Sequence, residues 1–155
     1  MTQRSRLLSG PRLIAVVAAA LVLGLGAAGT AVAGPGNAEG TPCSTAARAC
    51  VELDANKAWL IKDGKVERGP VAISHGGPGA DTPRGDFSVQ RKDKDHKSAE
   101  FDNAPMPWAV FFAPGGIAFH EGRTDTPSAG CVRLAPADAQ AWFESLQIGD
   151  RVEVR

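Results

Sequence analysis

From Ala49 onward, glycine and proline cut the sequence into short runs, and this punctuation constrains the fold more than any other feature. Val51–Asp54 and Ala58–Lys62 flank an Ala55-Asn56 turn, and Asp63-Gly64 is a strong hairpin signal leading into a returning strand, Lys65–Ile73. His75–Gly85 is dense in glycine and proline and reads as a loop. Asp86–Arg91 is a further strand with Phe87 and Val89 on one face, and Arg91–Glu100 is a charged run that reads as an exposed loop. Trp108–Ala113 and Gly116–His120 are apolar strands separated by Pro114-Gly115. A helix starts near Pro136, with proline at its first positions, and runs to about Leu146, burying Trp142, Phe143 and Leu146. Gly149-Asp150 turns into a last strand, Arg151–Arg155. The expectation is a mainly β domain with one short helix near its C-terminal end.

The first 33 residues have a different character. Arg4, Arg6 and Arg12 form a basic stretch without acids, Leu13–Thr30 is a run of apolar and small residues, and Ala31-Val32-Ala33 is a small-x-small site. This is the pattern of a secretory signal peptide, residues 1–33, with an uncleaved anchor as the alternative. As a helix the run would span roughly 27 Å, marginally enough for a bilayer. Both readings export the remainder to the cell envelope or beyond. Residues 34–48 read as a linker, rich in Gly, Pro and Ala at its start, and 49–155 as the folded domain. Beyond residue 33 the chain has 14 basic and 17 acidic residues, which gives no electrostatic case for nucleic acid or an anionic membrane as partner.

Export makes the cysteines informative, because there are three: Cys43, Cys50 and Cys131. A disulfide between the neighbours Cys43 and Cys50 would tie the arm to the first strand and leave Cys131 as the odd thiol. The alternatives are a Cys131–Cys50 pair or a buried, inert Cys131. The surroundings of Cys131 are polar and glycine-containing: Phe119-His120-Glu121-Gly122 precedes it, and Ser128-Ala129-Gly130-Cys131-Val132-Arg133-Leu134 contains it. A cysteine nucleophile needs a base for the thiol proton, small residues that let a carbonyl approach, and N–H groups for the oxyanion. His120, Gly130 and the backbone around Cys131 are candidates for these parts.

Thr82-Pro83-x-Gly85-x-Phe87, then Met106-Pro107-Trp108, then His120, then Ser128-x-Gly130-Cys131-Val132-Arg133-Leu134, taken in this order, resemble the L,D-transpeptidase catalytic domain, also called the YkuD domain. The resemblance runs from about Ala49 to Arg155. It implies a β-sandwich-like arrangement of mixed sheets with a short helix. It also implies a cysteine acyltransferase of peptidoglycan. Cys131 would attack the diamino-acid carbonyl of a tetrapeptide stem and release the terminal D-alanine. The thioester would then pass to the side-chain amine of a second stem, giving a 3→3 crosslink. His120 matches the general base. Gly130 allows close approach, Ser128 belongs to the same substrate-binding loop, and Arg133 binds a stem carboxylate or braces that loop. The N–H of Cys131 with a neighbouring N–H would form the oxyanion hole. The implied partners are stem peptides, with carbapenem-type β-lactams as inhibitors; no cofactor is implied, and a monomer is expected.

Two positions depart from the common pattern. Ala129 stands where many members have His before the Gly-Cys pair, and Glu121 stands where larger members often have Gly. His75, in its Gly/Pro loop, reads as a loop or donor-binding residue, and His96 as a solvated residue on a charged face. Trp108, Phe111 and Phe112 read as core, with Met106-Pro107-Trp108 as a wall for the donor. No His or Cys pair has metal-ligand spacing, so no metal is expected. Asp86 and Glu100 form no recognisable carboxylate pair. Among other envelope cysteine enzymes, papain-like hydrolases place Cys before His, and sortases have a far longer His-to-Cys interval. An L,D-carboxypeptidase on the same fold and a module that binds stem peptides without turnover remain the alternatives.

Overall fold

The computed structural model describes residues 36–155, so the export segment, residues 1–33, lies outside the described residues. Nine strands and one helix follow in chain order: β1 (Ala49–Glu52), β2 (Lys57–Lys62), β3 (Lys65–Ser74), β4 (Gly85–Ser88), β5 (Arg91–Ser98), β6 (Ala104–Ala113), β7 (Ile117–Glu121), β8 (Val132–Leu134), α1 (Pro136–Ser145) and β9 (Arg151–Val154). They form one mixed sheet in the order β4-β9-β1-β2-β3-β8-β7-β6-β5. The β1/β9 and β7/β8 pairs are parallel and the remaining pairs antiparallel. The mainly β expectation is borne out, and α1 is the one helix among the described residues.

The sheet curls on itself at β3. The body of this strand pairs with β2, whereas its last residues, Ile73 and Ser74, pair with Leu134 and Arg133 of β8. The curl brings Phe87 of β4 against Phe112 of β6, ring centroids 5.9 Å apart. Both halves and α1 bury one apolar cluster, including Val51, Leu60, Phe112, Phe119, Trp142 and Val154. Burial of such side chains contributes roughly 1.5–3 kcal/mol each against the entropy of ordering them. Pro136 opens α1 as expected, and the Asp63-Gly64 turn has φ of 51° and 74°, the left-handed pair that a two-residue hairpin demands.

Two expectations are corrected. The segment read as a linker, 34–48, is packed from residue 36 onward: Asn37 bridges Ser44, and Ala38, Cys43 and Ala47 are buried with Trp59 and Ile61. Cys43 and Cys50 are bonded, and Cys131 is a free thiol. Glu153 on β9 accepts hydrogen bonds from the backbone N–H and hydroxyl of Ser44, which holds the arm down.

The charged run Arg91–Glu100 is not a loop; its first eight residues are β5, an edge strand paired with β6. Its sequence has no apolar alternation because its partners are aromatic faces rather than aliphatic core. Lys92 Nζ lies over Phe143 and donates to the Leu146 carbonyl, and Lys94 Nζ lies over Trp108. Charge on an edge strand also discourages pairing with a second chain. The β5–β6 pairs run through Asp93↔Ala109 and resume at Asp95↔Pro107, skipping Lys94 and Trp108. Trp108 has φ of 59°, outside the strand region. This interruption resets the alternation, so residues an odd number apart share a face: Met106 clusters with Ala109 and Phe111.

Candidate active site

β7 and β8 bring Cys131 and His120 to one cavity. They pair in parallel with His120 opposite Arg133 and Phe119 opposite Val132, so Cys131, one residue before β8, stands level with Ala118, two residues before His120 and on the same face of the sheet. Both line a cavity of about 610 Å³, with His96, Met106, Phe111 and Arg133 also in its wall. His120 is buried and Cys131 is half-buried. A second cavity, of about 660 Å³, lies on the far side of the 124–127 loop, lined by residues 74–78 and sharing Pro127, and it contains no cysteine.

The His120 ring is oriented by its own strand end. Nδ1 lies 2.7 Å from the Glu121 carbonyl oxygen. A carbonyl can only accept, so Nδ1 carries the proton and the Nε2 lone pair remains to take one. Burial lowers the His120 pKa, the bond to Glu121 raises it in part, and the positive charge of Arg133 lowers it further. Burial likewise pushes the Cys131 thiol up, while a backbone hydrogen bond from Ala118 and the Arg133 charge pull it down by less. Both directions favour a neutral thiol beside a neutral imidazole at rest. The thiol points at the Gly116 carbonyl oxygen, 3.7 Å away.

The loop before Cys131 is held by its own polar groups. Ser128 Oγ accepts from the Gly130 N–H at 3.1 Å and donates to the Cys131 carbonyl at 2.5 Å. Gly130 has φ of 120°, and a Cβ on it would come within 2.6 Å of Ile117 Cδ1, so glycine is required there. Thr82 is buried; its hydroxyl accepts from Gly76 N–H at 2.9 Å and donates to the Gly130 carbonyl at 2.7 Å, pinning the cysteine loop to the 75–85 loop. Arg133 braces the opposite flank. Its Nε donates to Ser74 Oγ at 3.1 Å, and its Nη2 donates to the Thr126 carbonyl and, at 3.3 Å, to the Thr126 hydroxyl. A Cβ on Gly122 would sit 2.6 Å from Arg133 Cδ, which explains the glycine after Glu121.

The site residues expected from sequence thus converge, with two refinements. Ser128 and Arg133 hold the loop with the donors and acceptors they have, and the Gly130 N–H is already committed to Ser128. His75 lies outside the cavity wall, its two ring nitrogens facing the Gly76 and Leu53 carbonyl oxygens at 2.9 and 3.1 Å. Sequence reasoning missed His96 and Arg91. Neither is a freely solvated residue: both pack on Phe111 in the cavity wall. The signal that could have found them is weak, because a strand so charged looks like a loop. Among the described residues no three His, Cys, Asp or Glu side chains gather as metal ligands would.

Residues 46–154 match the YkuD family, described as the L,D-transpeptidase catalytic domain. The fold is similar to an L,D-transpeptidase, residues 123–326, from Xylanimonas cellulosilytica, at 29% identity and a TM-score of 0.66, covering 74% of this chain and 63% of that one. It is also similar to an L,D-transpeptidase from Stackebrandtia nassauensis, at 28% identity and a TM-score of 0.64, covering 69% and 54%. A third, LdtMt1 in complex with imipenem, is 22% identical with a TM-score of 0.63, covers 69% and 57%, and bears on the fold alone. The match spans less than two thirds of each of these chains. No curated protein matches.

Proposed function

The chain belongs to the YkuD family of L,D-transpeptidase catalytic domains, and on that ground we propose that it joins peptidoglycan stem peptides through a thioester on Cys131. The observation that carries the reading is the convergence of a free thiol and an imidazole with an unprotonated Nε2 in one cavity. In the first half-reaction the Cys131 S–H proton passes to His120 Nε2 as sulfur attacks the diamino-acid carbonyl carbon. The oxyanion is stabilised by backbone N–H groups, with that of Cys131 as the first candidate. The C–N bond to the terminal D-alanine then breaks, and its nitrogen leaves with the proton from Nε2. In the second half-reaction the side-chain amine of another stem attacks the thioester carbon and gives a proton to Nε2. The C–S bond breaks, and sulfur recovers the proton. Because both partners are neutral at rest, proton transfer accompanies attack rather than preceding it. The Nδ1–H···O=C bond to Glu121 keeps the ring in the acting tautomer throughout.

The export segment read in residues 1–33 puts this chemistry in the cell envelope. Among proteins of similar fold, LdtMt1 is found in complex with imipenem and Ldtfm as an avibactam carbamoyl enzyme. For this chain a carbapenem carbonyl would meet the same thiol, adding one drug mass to Cys131. The deciding experiment is mass spectrometry of the products from disaccharide-tetrapeptides. A 3→3 dimer that disappears in Cys131→Ala supports the proposal. Tripeptide without dimer would mean that water is the acceptor, as in an L,D-carboxypeptidase. No product from wild type, with a thiol inert to electrophiles, would mean a stem-binding module.

A further inference from the structure

The wall of the Cys131 cavity contains a cation with nothing to neutralise it. Arg91 lies opposite Phe111 in the β5–β6 ladder, and its Cζ is 3.4 Å from the centre of the Phe111 ring. That distance puts the guanidinium in close cation–π contact with the ring face, which leaves its outer N–H groups for a partner. Every other arginine among the described residues donates to a carboxylate, carbonyl or hydroxyl oxygen. Arg91 has no such partner, although it has carboxylates nearby.

The surroundings explain why it stays unpaired. Asp93, two residues along β5, is turned to His96, with Oδ2 at 2.9 Å from His96 Nδ1. The His96 ring stands nearly perpendicular to Phe111 with centroids 5.0 Å apart. Phe111, 4% exposed, is therefore held between the two and forms a rigid seat for the guanidinium. Glu100 and Glu121 also line the cavity, and neither forms an ion pair with Arg91. The interruption at Lys94 and Trp108 turns Arg91, His96 and Ser98 to this one cavity.

We infer that Arg91 is the carboxylate-binding residue of this cavity, taking a carboxylate of the donor stem peptide and so positioning its scissile carbonyl at Cys131. The inference rests on the stem-peptide reading above and adds a specificity determinant to it. A stacked guanidinium loses little freedom when it binds, and its planar edge fits a carboxylate with two parallel hydrogen bonds. Arg133 is the less available cation, because its Nε and Nη2 already hold Ser74 and Thr126 and only Nη1 is left uncommitted. The roles are complementary: Arg133 fixes the loop, and Arg91 is free to bind.

The test is equilibrium binding by calorimetry in a Cys131→Ala background, where no turnover intrudes. The probes are a tetrapeptide stem with free carboxylates and the same peptide with every carboxylate amidated. Arg91→Gln should weaken the free-carboxylate peptide about tenfold and the amidated one less than about twofold. Arg91→Lys should recover part of the difference, and added salt should narrow it, because Arg91 is exposed on one side. Singly amidated peptides then identify which carboxylate is held. Equal weakening of both peptides, no weakening, or no binding of either would overturn the inference. A wild type that binds with this discrimination yet forms no crosslink would sink the transpeptidase reading and leave the carboxylate site standing.

Discussion

Glu153→Gln should cost about 3 kcal/mol at neutral pH and almost nothing in strong acid. Glu153 is fully buried on β9. Its carboxylate accepts from the Ser44 N–H at 2.9 Å, the Ser44 hydroxyl at 2.5 Å, Arg151 Nε at 2.7 Å and Arg155 Nη2 at 2.6 Å. Burial raises the pKa, but the Ser44 bonds and the two arginines outweigh it and hold the carboxyl at about 2, against an ordinary 4.5. At 1.36 kcal/mol per pH unit that gap is worth about 3 kcal/mol. The same order, about 3–5 kcal/mol, is expected when one partner of a buried pair is removed. The folded pKa is depressed, so the stabilisation is complete above about 4.5 and fades as pH falls toward about 2. Urea unfolding followed by tryptophan fluorescence at pH 7 and at pH 1.5 measures both ends. In a domain of roughly 120 residues the neutral-pH loss corresponds to a melting-point drop of about 12 °C. A gap that is equal at the two pH values, or below about 1 kcal/mol at pH 7, would refute the reasoning. The arm would then be held by the Cys43–Cys50 bond and its apolar contacts alone.

Three further outcomes bear on the site. His120→Ala should slow acylation by a tetrapeptide donor roughly 10²–10⁴-fold, with His75→Ala much milder, read by single-turnover mass spectrometry. The neutral Cys131–His120 pair predicts that iodoacetamide labelling, confined to Cys131 in unreduced protein, gains speed only on the alkaline side of the ordinary thiol range. The acid limb of turnover should fall below the ordinary imidazole range, since His120 is held low; thiolate absorbance at 240 nm at pH 7 would contradict both. Ala129 is exposed at the cavity, so Ala129→His should fit without displacing the loop and change acylation by about tenfold or less, whereas a rescue above about 10³-fold would mean that wild type has lost its chemistry.

The strands with apolar faces and the glycine turns were legible because each is a local rule. Leu60, Phe112 and Val152 sit in strands whose pattern points inward, and Asp63-Gly64 can form little else than a tight hairpin turn. His120 and Cys131 were legible as a pair because the chemistry names its own residue types. Their orientation was not. The Glu121 carbonyl that sets the tautomer and the Thr82 hydroxyl that joins two loops are contacts between backbone and side chain, and spacing does not reveal them. The arm at 36–48 looked like a linker because its burial depends on Trp59, Ile61 and the Glu153 carboxylate, all supplied by other strands.

β5 concealed the most, and for a physical reason that bears on function. A strand is recognised by apolar alternation, and alternation exists only where one face meets aliphatic core. Here one face meets the rings of Trp108 and Phe143 through lysine stems and ammonium groups, and the other lines the Cys131 cavity. Cations stacked on aromatics bury apolar area while keeping their charge, so a run such as Arg91-Lys92-Asp93-Lys94 can be packed and still read as solvent-facing. Two needs converge on the same residues. An edge strand must carry charge to avoid pairing with another sheet, and a cavity that binds an anionic peptide must present charge to it. At the edge next to Cys131 one set of side chains meets both needs. The polar character that hid the strand is therefore also what makes Arg91 the first residue to mutate when the donor preference of this cavity is measured.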